Sequence, residues 1–288
     1  MKQYTLQQRI NGAFKLAHPA LSLLGSLYVF VGAYLVGGLT ALTTSRAPLA
    51  ALVAALIVSY AFIINDYHDL PVDLQNKKGR PLPAGLVRPR EAVIMMAVLV
   101  LLALTLTIWL PGWLRLLVAL NILLSAAYSY HLKDTLLIGN ATIAYLNAST
   151  ILFGALAVGQ LTATVWVGFA LIFLFVMAQE VLFAAKDYEG DEAANLRTTA
   201  NRLGKRAALN LFKALAILFA ATTLAPAIMG WSAMTYLYAA IPLTVIPILS
   251  TVVLLSWRQT PKAIWLATRV IVFLWGSSAI PLVLLGVS

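Results

Sequence analysis

The stretch FIINDYHDLPVDLQNKKGRPLPAG, residues 62–85, ends an apolar run and places Asp66, Asp69 and Asp73 within eight positions. The whole chain of 288 residues has only 10 Asp and Glu, so this one segment holds nearly a third of its acidic residues. An apolar helix of about 20 residues crosses a bilayer. The stretch therefore predicts a membrane-spanning helix that ends in a cluster of carboxylates.

The composition of the whole chain is that of a membrane protein. Hydrophobic residues make up 61% of the sequence, charged residues make up 10%, and the mean hydropathy is +0.90, all far from the values of soluble domains. Apolar runs centred at about residues 27, 57, 100, 121, 147, 173, 217, 245 and 273 are each long enough to span a bilayer as a helix. We therefore predict an all-α, polytopic membrane protein whose nine transmembrane helices form one membrane-embedded domain over residues 1–288.

The charged residues are distributed unequally between the two faces of this nine-helix arrangement. Of the 20 Lys and Arg, Arg46 and Arg115 fall on one side, and all the others fall on the opposite side together with the ten acidic residues. Cytoplasmic loops of membrane proteins are enriched in Lys and Arg. We therefore expect an integral, multi-pass protein whose N-terminus and charged loops are cytoplasmic. Attraction to anionic lipid accounts for the net charge of +10, and no nucleic-acid partner is expected.

Two of the cytoplasmic connections are long, charged and alike, and they cover residues 65–90 and 186–206. Each places aspartates at the end of an apolar run and basic residues after them. Asp187 lies 118 positions (187 − 69) after Asp69, which indicates a weak internal duplication of the kind found in other membrane proteins. We call Asn65–Asp73 the first motif and Asp187–Asp191 the second motif.

The spacing of the aspartates predicts a bound cation. The three aspartates of the first motif share one face if the helix continues two turns past Asn65, and the two of the second motif do the same. Like charges so arranged repel each other, and at a helix C-terminus they also oppose the helix dipole. The chain has no cysteine, so the ligands are oxygens, and Mg²⁺ is expected before Ca²⁺ or Mn²⁺. The candidate metal ligands are Asn65, Asp66, Asp69, Asp73, Asp187 and Asp191.

A metal held by both motifs indicates a diphosphate ligand. Mg²⁺ usually takes one or two carboxylates and completes its shell with water and substrate phosphate. Basic residues near the motifs supply positive charge for the other phosphate oxygens, and they are Lys77, Lys78, Arg80, Arg197 and Arg202. Two alternatives stay open, namely hydrophilic loops without a chemical role and a transporter of divalent cations or phosphorylated solutes. A transporter predicts acids through the depth of the membrane, whereas here they stop at one face.

The two motifs resemble those of the UbiA superfamily of intramembrane prenyltransferases, over roughly residues 15–285. The superfamily pattern NDxxDxxxD is present at Asn65–Asp73, and DxxxD is present in DYEGD at 187–191. GRPLPAG (79–85) and LKDTLLIGN (132–140) also match superfamily segments, with Arg80, Lys133 and Asn140 at corresponding positions. The resemblance implies a nine-helix bundle around a central cavity, and the chain looks most like members of the digeranylgeranylglyceryl phosphate synthase type.

The resemblance also implies a reaction and a site. Mg²⁺ on the two motifs would neutralise the diphosphate that leaves as an allylic C1–O bond breaks, and the prenyl group would pass to an acceptor. The implied donor is farnesyl or geranylgeranyl diphosphate, and the implied acceptor is a lipid alcohol or an aromatic ring. The implied catalytic residues are Asp66, Asp69, Asp73, Asp187 and Asp191. The implied substrate-binding residues are Asn65, Lys77, Arg80, Lys133, Asn140 and Arg197.

Two departures from the superfamily pattern leave the acceptor open. Many relatives carry a basic-acidic pair where this chain has Phe183 and Ala184, although Glu180 is retained. An Arg-Pro common near the N-terminus of relatives is His18-Pro19 here. The alternative that this change favours is a membrane terpene cyclase of the same superfamily, which acts on a prenyl diphosphate without an acceptor.

Aromatic side chains and histidines near the motifs complete the candidates. A cation–π contact with an allylic cation contributes about 0.5–2 kcal/mol. The aromatic candidates for such a contact are Phe62, Tyr67, Tyr145, Phe153 and Phe183. His18 and His131 are expected at the membrane interface, and no histidine is needed for the metal site.

Overall fold

The computed structural model describes residues 4–193 and 197–286, and this part of the chain is helical throughout. Its α-helices are α1 Leu6–Leu16, α2 Pro19–Leu42, α3 Arg46–His68, α4 Leu70–Asn76, α5 Pro89–Leu106, α6 Gly112–Ala127, α7 Ile138–Val158, α8 Ala163–Lys186, α9 Tyr188–Ala193, α10 Thr199–Leu203, α11 Lys205–Ile228, α12 Met234–Ala240, α13 Ile246–Trp257, α14 Pro261–Ser277 and α15 Ala279–Leu284. A 3₁₀ turn, Thr107–Trp109, extends α5. π-helical turns follow α6 at Tyr128–Leu132 and join α12 to α13 at Ile241–Val245.

Nine helical segments within residues 4–193 and 197–286 are long and apolar enough to cross a membrane. The first joins α1 to α2, five others are based on α3, α5, α6, α7 and α8, and the last three are α11, α12 with α13, and α14 with α15. The prediction of nine transmembrane helices in an all-α fold is therefore confirmed. The centres of the segments differ from the predicted centres by only a few positions, because hydropathy along the chain sets the length of each span.

The spans differ in how deeply they are buried. α3, α7 and α8 have the most buried surface, and α5 has the least. One large apolar core runs through α2, α3, α7, α8, α11, α13 and α14. Apolar side chains of α5 such as Leu101 and Val98 stay exposed on the outside of the bundle, as expected of a helix that faces lipid.

Glycines allow α2 and α7 to cross with their backbones almost in contact. A Cβ atom on Gly154 would lie 1.7 Å from the Val29 carbonyl oxygen, and one on Gly32 would lie 2.0 Å from the Ile151 carbonyl oxygen. No side chain fits at these distances. Close packing of this kind through small residues holds helices together where lipid removes the hydrophobic driving force. α2 packs against both α7 and α3, and the first motif lies at the end of α3.

The N-terminal helix α1 packs on the loop that follows α4. Gly12 lies against Leu86, the Tyr4 hydroxyl donates to the Ala84 carbonyl oxygen at 2.8 Å, and Arg9 forms an ion pair with Glu91. A separate small core of buried side chains joins α1, α3, α5 and this loop. The segment after the first motif is therefore held in place by α1 and by its packing against α3 and α5.

The first motif does not lie on one uninterrupted helix. α3 ends at His68 and α4 begins at Leu70, with Asp69 between them in an α-like conformation (φ −76°, ψ −5°). Pro71 has no N–H to donate to the carbonyl of Tyr67, so the hydrogen-bond ladder stops there. The predicted two further turns are thus one turn of α3 and a second, short helix, which together keep nearly the same path.

Candidate active site

Two of the three aspartates of the first motif converge on one guanidinium group. Arg80 Nη1 donates to Asp66 Oδ1 and to Asp73 Oδ2, both at 2.9 Å. Asp66 and Asp73 are buried, with relative exposures of 5% and 2%. Buried carboxylates need a cationic partner to remain charged. Arg80 is that partner, and it comes from the loop seven positions after Asp73.

The third aspartate of the first motif is bound by a lysine from a distant helix connection. Lys133 Nζ lies 2.5 Å from Asp69 Oδ2 and 3.4 Å from Asn65 Oδ1, and Asn65 Nδ2 donates to Asp69 Oδ2 at 3.4 Å. Lys77 Nζ lies 3.4 Å from the remaining oxygen of Asp73. The residues implied by sequence to bind substrate or metal are thus joined in two networks, one of Asn65, Asp69 and Lys133 and one of Asp66, Asp73, Lys77 and Arg80.

The second motif repeats the backbone arrangement of the first. Asp187 ends α8, and its carbonyl oxygen accepts the Asp191 N–H at 2.9 Å, as the Asp69 carbonyl accepts the Asp73 N–H at 2.9 Å. The Asp187 carboxylate lies 3.2 Å from Lys186 Nζ. The two aspartates of this motif also lie close enough to repel each other.

The electrostatics of Asp191 link the two motifs. Burial, and then the neighbouring Asp187 carboxylate, raise the pKa of Asp191, while the charges of Lys133 and Lys77 act to lower it. Lys133 and Lys77 also bind the carboxylates of the first motif. Asp69 and Asp187 also follow the C-terminal ends of the second and sixth spans, so both motifs lie at the same end of the bundle.

Hydrogen bonds between the connections fix the position of Lys133. Thr199 Oγ1 donates to Asn140 Oδ1 at 2.5 Å and accepts the Leu137 N–H at 3.3 Å. Leu137 is in the left-handed conformation with φ +59°, and a Cβ atom on Gly139 would lie 2.5 Å from the Leu132 carbonyl oxygen. Asn140 therefore does not contact the carboxylates, and it ties the connection before α7 to that before α11.

Arg197 lies at the edge of the site. Its side chain is exposed, and its carbonyl oxygen accepts from Arg202 Nε at 3.2 Å. Arg202 also donates to the Asp134 carbonyl oxygen at 2.7 Å. Within residues 4–193 and 197–286, no carboxylate lies within 4 Å of the Arg197 guanidinium. Its implied role in substrate binding stays a prediction.

His18 is a site residue that sequence reasoning missed, because it was expected at the interface. Its Nε2 lies 3.3 Å from Asp66 Oδ2, and its ring stacks on Phe62 with centroids 4.5 Å apart. Its backbone has φ +47°, in the left-handed region that Gly adopts freely and that Asn, Asp and His adopt more often than other residues. The signal was present in the sequence, since His18 stands where relatives have an Arg.

The aromatic candidates lie in different surroundings. Phe153 is buried in the apolar core at 1% exposure, so it is not free to face an open channel. Phe183 lies beside Lys186, whose Nζ is 5.4 Å from its ring centroid. Tyr145 packs edge-on against Phe169, with centroids 6.1 Å apart. Phe62 is the candidate nearest to the carboxylates, through its stacking on His18.

The donor atoms present suit Mg²⁺. In the part of the chain that the structure describes, no three acidic or histidine side chains are grouped into a ready-made metal cage. Mg²⁺ does not need such a cage, because it takes one or two carboxylates and fills its shell with water and phosphate oxygens. Each motif offers carboxylate oxygens of this kind, and both motifs lie at the same end of the bundle. The residues therefore fit metal ions that bridge protein and diphosphate.

The nine spans found among the described residues, with two carboxylate motifs at one end of the bundle, define a membrane protein with a polar site at the mouth of an apolar bundle. A model of the UbiA prenyltransferase family matches residues 22–277. The chain belongs to the UbiA prenyltransferase family. It is thus an integral, multi-pass membrane protein and an enzyme of the prenyltransferase type.

Individual relatives and solved structures agree with this assignment. A digeranylgeranylglyceryl phosphate synthase from Natronomonas pharaonis is 34% identical over 236 residues, which cover 82% of this chain and 84% of the relative. A solved structure from a study of digeranylgeranylglyceryl phosphate synthase in membranes has a TM-score of 0.81 at 21% identity and covers 97% of this chain and 99% of its own. A UbiA homologue from Archaeoglobus fulgidus bound to geranyl diphosphate (GPP) and Mg²⁺ has a TM-score of 0.70 at 20% identity, with coverages of 93% and 99%. The two structures establish the fold.

Proposed function

We propose that this protein transfers a prenyl group from an isoprenyl diphosphate to the hydroxyl of a lipid alcohol of the glyceryl phosphate type. The observation that carries the proposal is the position of Lys133, whose Nζ lies 2.5 Å from Asp69 Oδ2 in the pair Asp69–Asp73 and whose charge also acts on Asp191 in the pair Asp187–Asp191. A diphosphate carries negative charge on two phosphorus centres and needs positive charge on both sides to leave. Two motifs at the same end of the bundle meet that need.

The relatives support the choice of substrates. Digeranylgeranylglyceryl phosphate synthase is named for a glyceryl phosphate that carries two geranylgeranyl groups, which implies a geranylgeranyl donor and a glyceryl phosphate lipid as acceptor. The Archaeoglobus neighbour binds geranyl diphosphate together with Mg²⁺. We carry these substrate classes to this chain, with farnesyl diphosphate and an aromatic acceptor as the other members of the test panel.

Mg²⁺ is the proposed cofactor, and when bound it supplies positive charge that neutralises the diphosphate as it leaves. The residues that would hold it are Asn65, Asp66, Asp69, Asp73, Asp187 and Asp191. Arg80 keeps Asp66 and Asp73 oriented through its two hydrogen bonds of 2.9 Å.

Lys133 and Lys77 hold the diphosphate oxygens that face away from the carboxylates. Both ammonium groups lie at the boundary between the motifs. Ammonium and guanidinium groups bind phosphate oxygens through charge-assisted hydrogen bonds. As the C1–O bond breaks, its electron pair passes to the diphosphate, and these cations stabilise the charge that develops there. The allylic group remains deeper in the membrane than the diphosphate, in the apolar part of the bundle.

A product assay tests the proposal. Purified protein in nanodiscs would receive geranylgeranyl or farnesyl diphosphate, with Mg²⁺ or with EDTA, and with a glyceryl phosphate lipid alcohol, an aromatic acceptor or no acceptor. Mass spectrometry is expected to detect an ether between the prenyl group and the lipid alcohol, in the Mg²⁺ samples only. A cyclic hydrocarbon or alcohol formed without acceptor would instead identify a terpene cyclase and overturn the transfer proposal.

We further propose that residues 1–288 act as one membrane-embedded domain with the N-terminus and both motifs on the cytoplasmic side. The support is the charge asymmetry, with Arg46 and Arg115 on the opposite face. Because the chain has no cysteine, single cysteines report sidedness cleanly. In intact cells, a membrane-impermeant maleimide should label Ser45→Cys and should not label Lys78→Cys. The reverse pattern would overturn the orientation.

A further inference from the structure

Glu180 is the acidic residue that lies farthest inside a membrane span in the part of the chain described. It stands six positions (186 − 180) before the end of α8, about 9 Å along the helix axis. Asp66 and Glu91 each lie two positions from the end of their spans. Charged groups inside a span are unfavourable, and they are retained where function requires them.

Glu180 shares a helix face with the second motif. Asp187 and Asp191 follow it by seven and 11 positions, which on a helix of 3.6 residues per turn brings all three within about 20° of one line. Asp187 is still on the α8 hydrogen-bond ladder, because its N–H donates to the Phe183 carbonyl oxygen at 2.9 Å. Glu180 thus lies about two turns before Asp187 on the same face of the helix.

The Glu180 side chain is partly accessible and has no cationic partner among the described residues. It lies deep within the protein, yet part of its surface remains accessible, whereas its neighbours Gln179 and Val181 are buried. Gln179 Nε2 reaches it at 3.4 Å, and no lysine, arginine or histidine of the described residues lies within 4 Å. An interior carboxylate without a cation is unfavourable in the free protein. A substrate group can supply the missing partner.

Tyr128 connects Glu180 to the first motif. Its hydroxyl lies within coulombic range of both the Glu180 and Asp69 carboxylates. Tyr128 begins the π-helical turn that leads directly to Lys133, and π-helical turns are frequent at functional sites. Tyr128 therefore lies between Glu180 and the first motif, at the start of the turn that positions Lys133.

We propose that Glu180 binds the acceptor hydroxyl and accepts its proton, a role that rests on the proposed function. The acceptor oxygen forms a bond to C1 of the prenyl group, and the C1–O bond to diphosphate breaks with its electron pair on the diphosphate. The hydroxyl proton passes to the Glu180 carboxylate. The carboxylate lies below the diphosphate position, where C1 of a prenyl chain that descends into the bundle would be. No other acid of the described residues lies so deep in a span.

The test separates proton transfer from binding and folding. Glu180→Gln keeps the size of the side chain and a hydrogen-bonding oxygen, but it removes the base. We expect it to lower kcat for prenyl transfer by about 10²–10⁴-fold, the usual contribution of a general base. Binding of the thiolodiphosphate analogue of geranylgeranyl diphosphate with Mg²⁺ should stay within about twofold of wild type. Glu180→Asp should recover part of the activity, and the exposed Glu192→Gln, at the end of α9, is the matched control.

A second acceptor makes the test specific for a base. An acceptor that carries fluorine on the carbon next to the reacting hydroxyl is more acidic and needs less help to lose its proton. The ratio of wild-type to Glu180→Gln rates should therefore fall with this acceptor. An unchanged ratio together with lost donor binding would assign Glu180 a structural role and overturn the proposal.

The outcomes distinguish this proposal from the proposed function. If the wild-type protein transfers the prenyl group and the rate of Glu180→Gln stays within about threefold of wild type, the role of Glu180 is overturned and the proposed function is not. If the wild-type protein does not transfer a prenyl group to any acceptor of the panel, the proposed function is overturned, and the role of Glu180 is overturned with it. Both proposals are supported if the wild-type protein transfers the prenyl group, Glu180→Gln loses this activity, and the ratio of wild-type to Glu180→Gln rates is smaller with the fluorinated acceptor.

Discussion

Asp69 and Asp187 occupy the same structural position in two different connections. Each ends a long transmembrane helix, and each accepts, through its carbonyl oxygen, the N–H of the aspartate four residues later at 2.9 Å. In each case a short helix follows, α4 after Asp69 and α9 after Asp187. The similarity that the sequence indicated at a separation of 118 positions (187 − 69) is thus also a similarity of backbone structure. Equivalent helix ends thus carry paired carboxylates at the same end of the bundle.

Removing one carboxylate from either motif should abolish activity. In Asp69→Ala and in Asp191→Ala we expect loss of Mg²⁺-dependent diphosphate release, because each motif must supply its share of metal ligands. Released diphosphate from geranylgeranyl diphosphate is the measurement, and circular dichroism checks that the bundle remains folded. Glu189→Gln is the control within DYEGD, because Glu189 is exposed and pairs with Lys205 at 2.5 Å. Full turnover in both alanine variants would contradict the assignment of the site.

Arg80 should matter for both stability and activity. Arg80→Met leaves Asp66 and Asp73 without the guanidinium that pairs with them at 2.9 Å. Breaking a fully buried pair costs about 3–5 kcal/mol, and we expect less here because the Arg80 side chain is 36% exposed. Thermal unfolding in detergent measures the loss. Mg²⁺ should restore part of the stability of Arg80→Met and should affect wild type less, since it can neutralise the same carboxylates. Equal effects of Mg²⁺ on both proteins would contradict this account.

The hydrogen bond between Thr199 and Asn140 should act through the position of Lys133. Thr199→Val removes the hydroxyl that donates to Asn140 and accepts from the Leu137 N–H, while Thr199→Ser keeps it. We expect Thr199→Val to raise KM for the prenyl diphosphate several-fold, because Lys133 loses its fixed position. A net hydrogen bond contributes about 0.5–1.5 kcal/mol, so the protein should remain folded. Indistinguishable kinetics of the two variants would show that the contact does not position Lys133.

Gly154 should not tolerate a methyl group. In Gly154→Ala the new Cβ would lie 1.7 Å from the Val29 carbonyl oxygen, so α2 and α7 must move apart. Overpacking commonly lowers the free energy of unfolding by about 1–3 kcal/mol. A backbone contact this close should lower it by an amount at or above the upper end of that range. Gly276→Ala in α14 is the matched control, because no atom lies within 4 Å of its added Cβ. Equal unfolding temperatures of the two variants in detergent would contradict the close crossing of α2 and α7.

His18 allows its side chain and its backbone to be tested separately. His18→Ala and His18→Gly both remove the ring that stacks on Phe62 and contacts Asp66, so both should need more Mg²⁺ for half-maximal activity. Glycine, however, adopts φ +47° freely, whereas alanine there costs about 1–2 kcal/mol. His18→Gly should therefore be the more stable of the two. Wild-type Mg²⁺ dependence in both variants would assign His18 to packing alone.

The sequence was sufficient to predict the spans and the two motifs. Hydropathy is a local property, so the runs near Ile57 and Phe173 predict α3 and α8 without knowledge of their neighbours. Aspartates at i, i+3 and i+7 are also local, and they indicated a shared face. Pro71 divides that face between α3 and α4, as its missing N–H requires.

The tertiary structure alone decided which charged groups pair. Lys133 reaches Asp69 over 64 positions, His18 reaches Asp66 over 48, and Thr199 reaches Asn140 over 59. These contacts depend on how the helices cross, and therefore on the close approach at Gly154 and on the conformation of Leu137. In the sequence, Glu180 is one acidic residue near a helix end. Only the packing shows that its side chain lies in the interior with no cationic partner beside it. Local hydropathy and spacing determine the elements and their motifs, whereas pairing across the bundle is set by contacts between residues far apart in the chain.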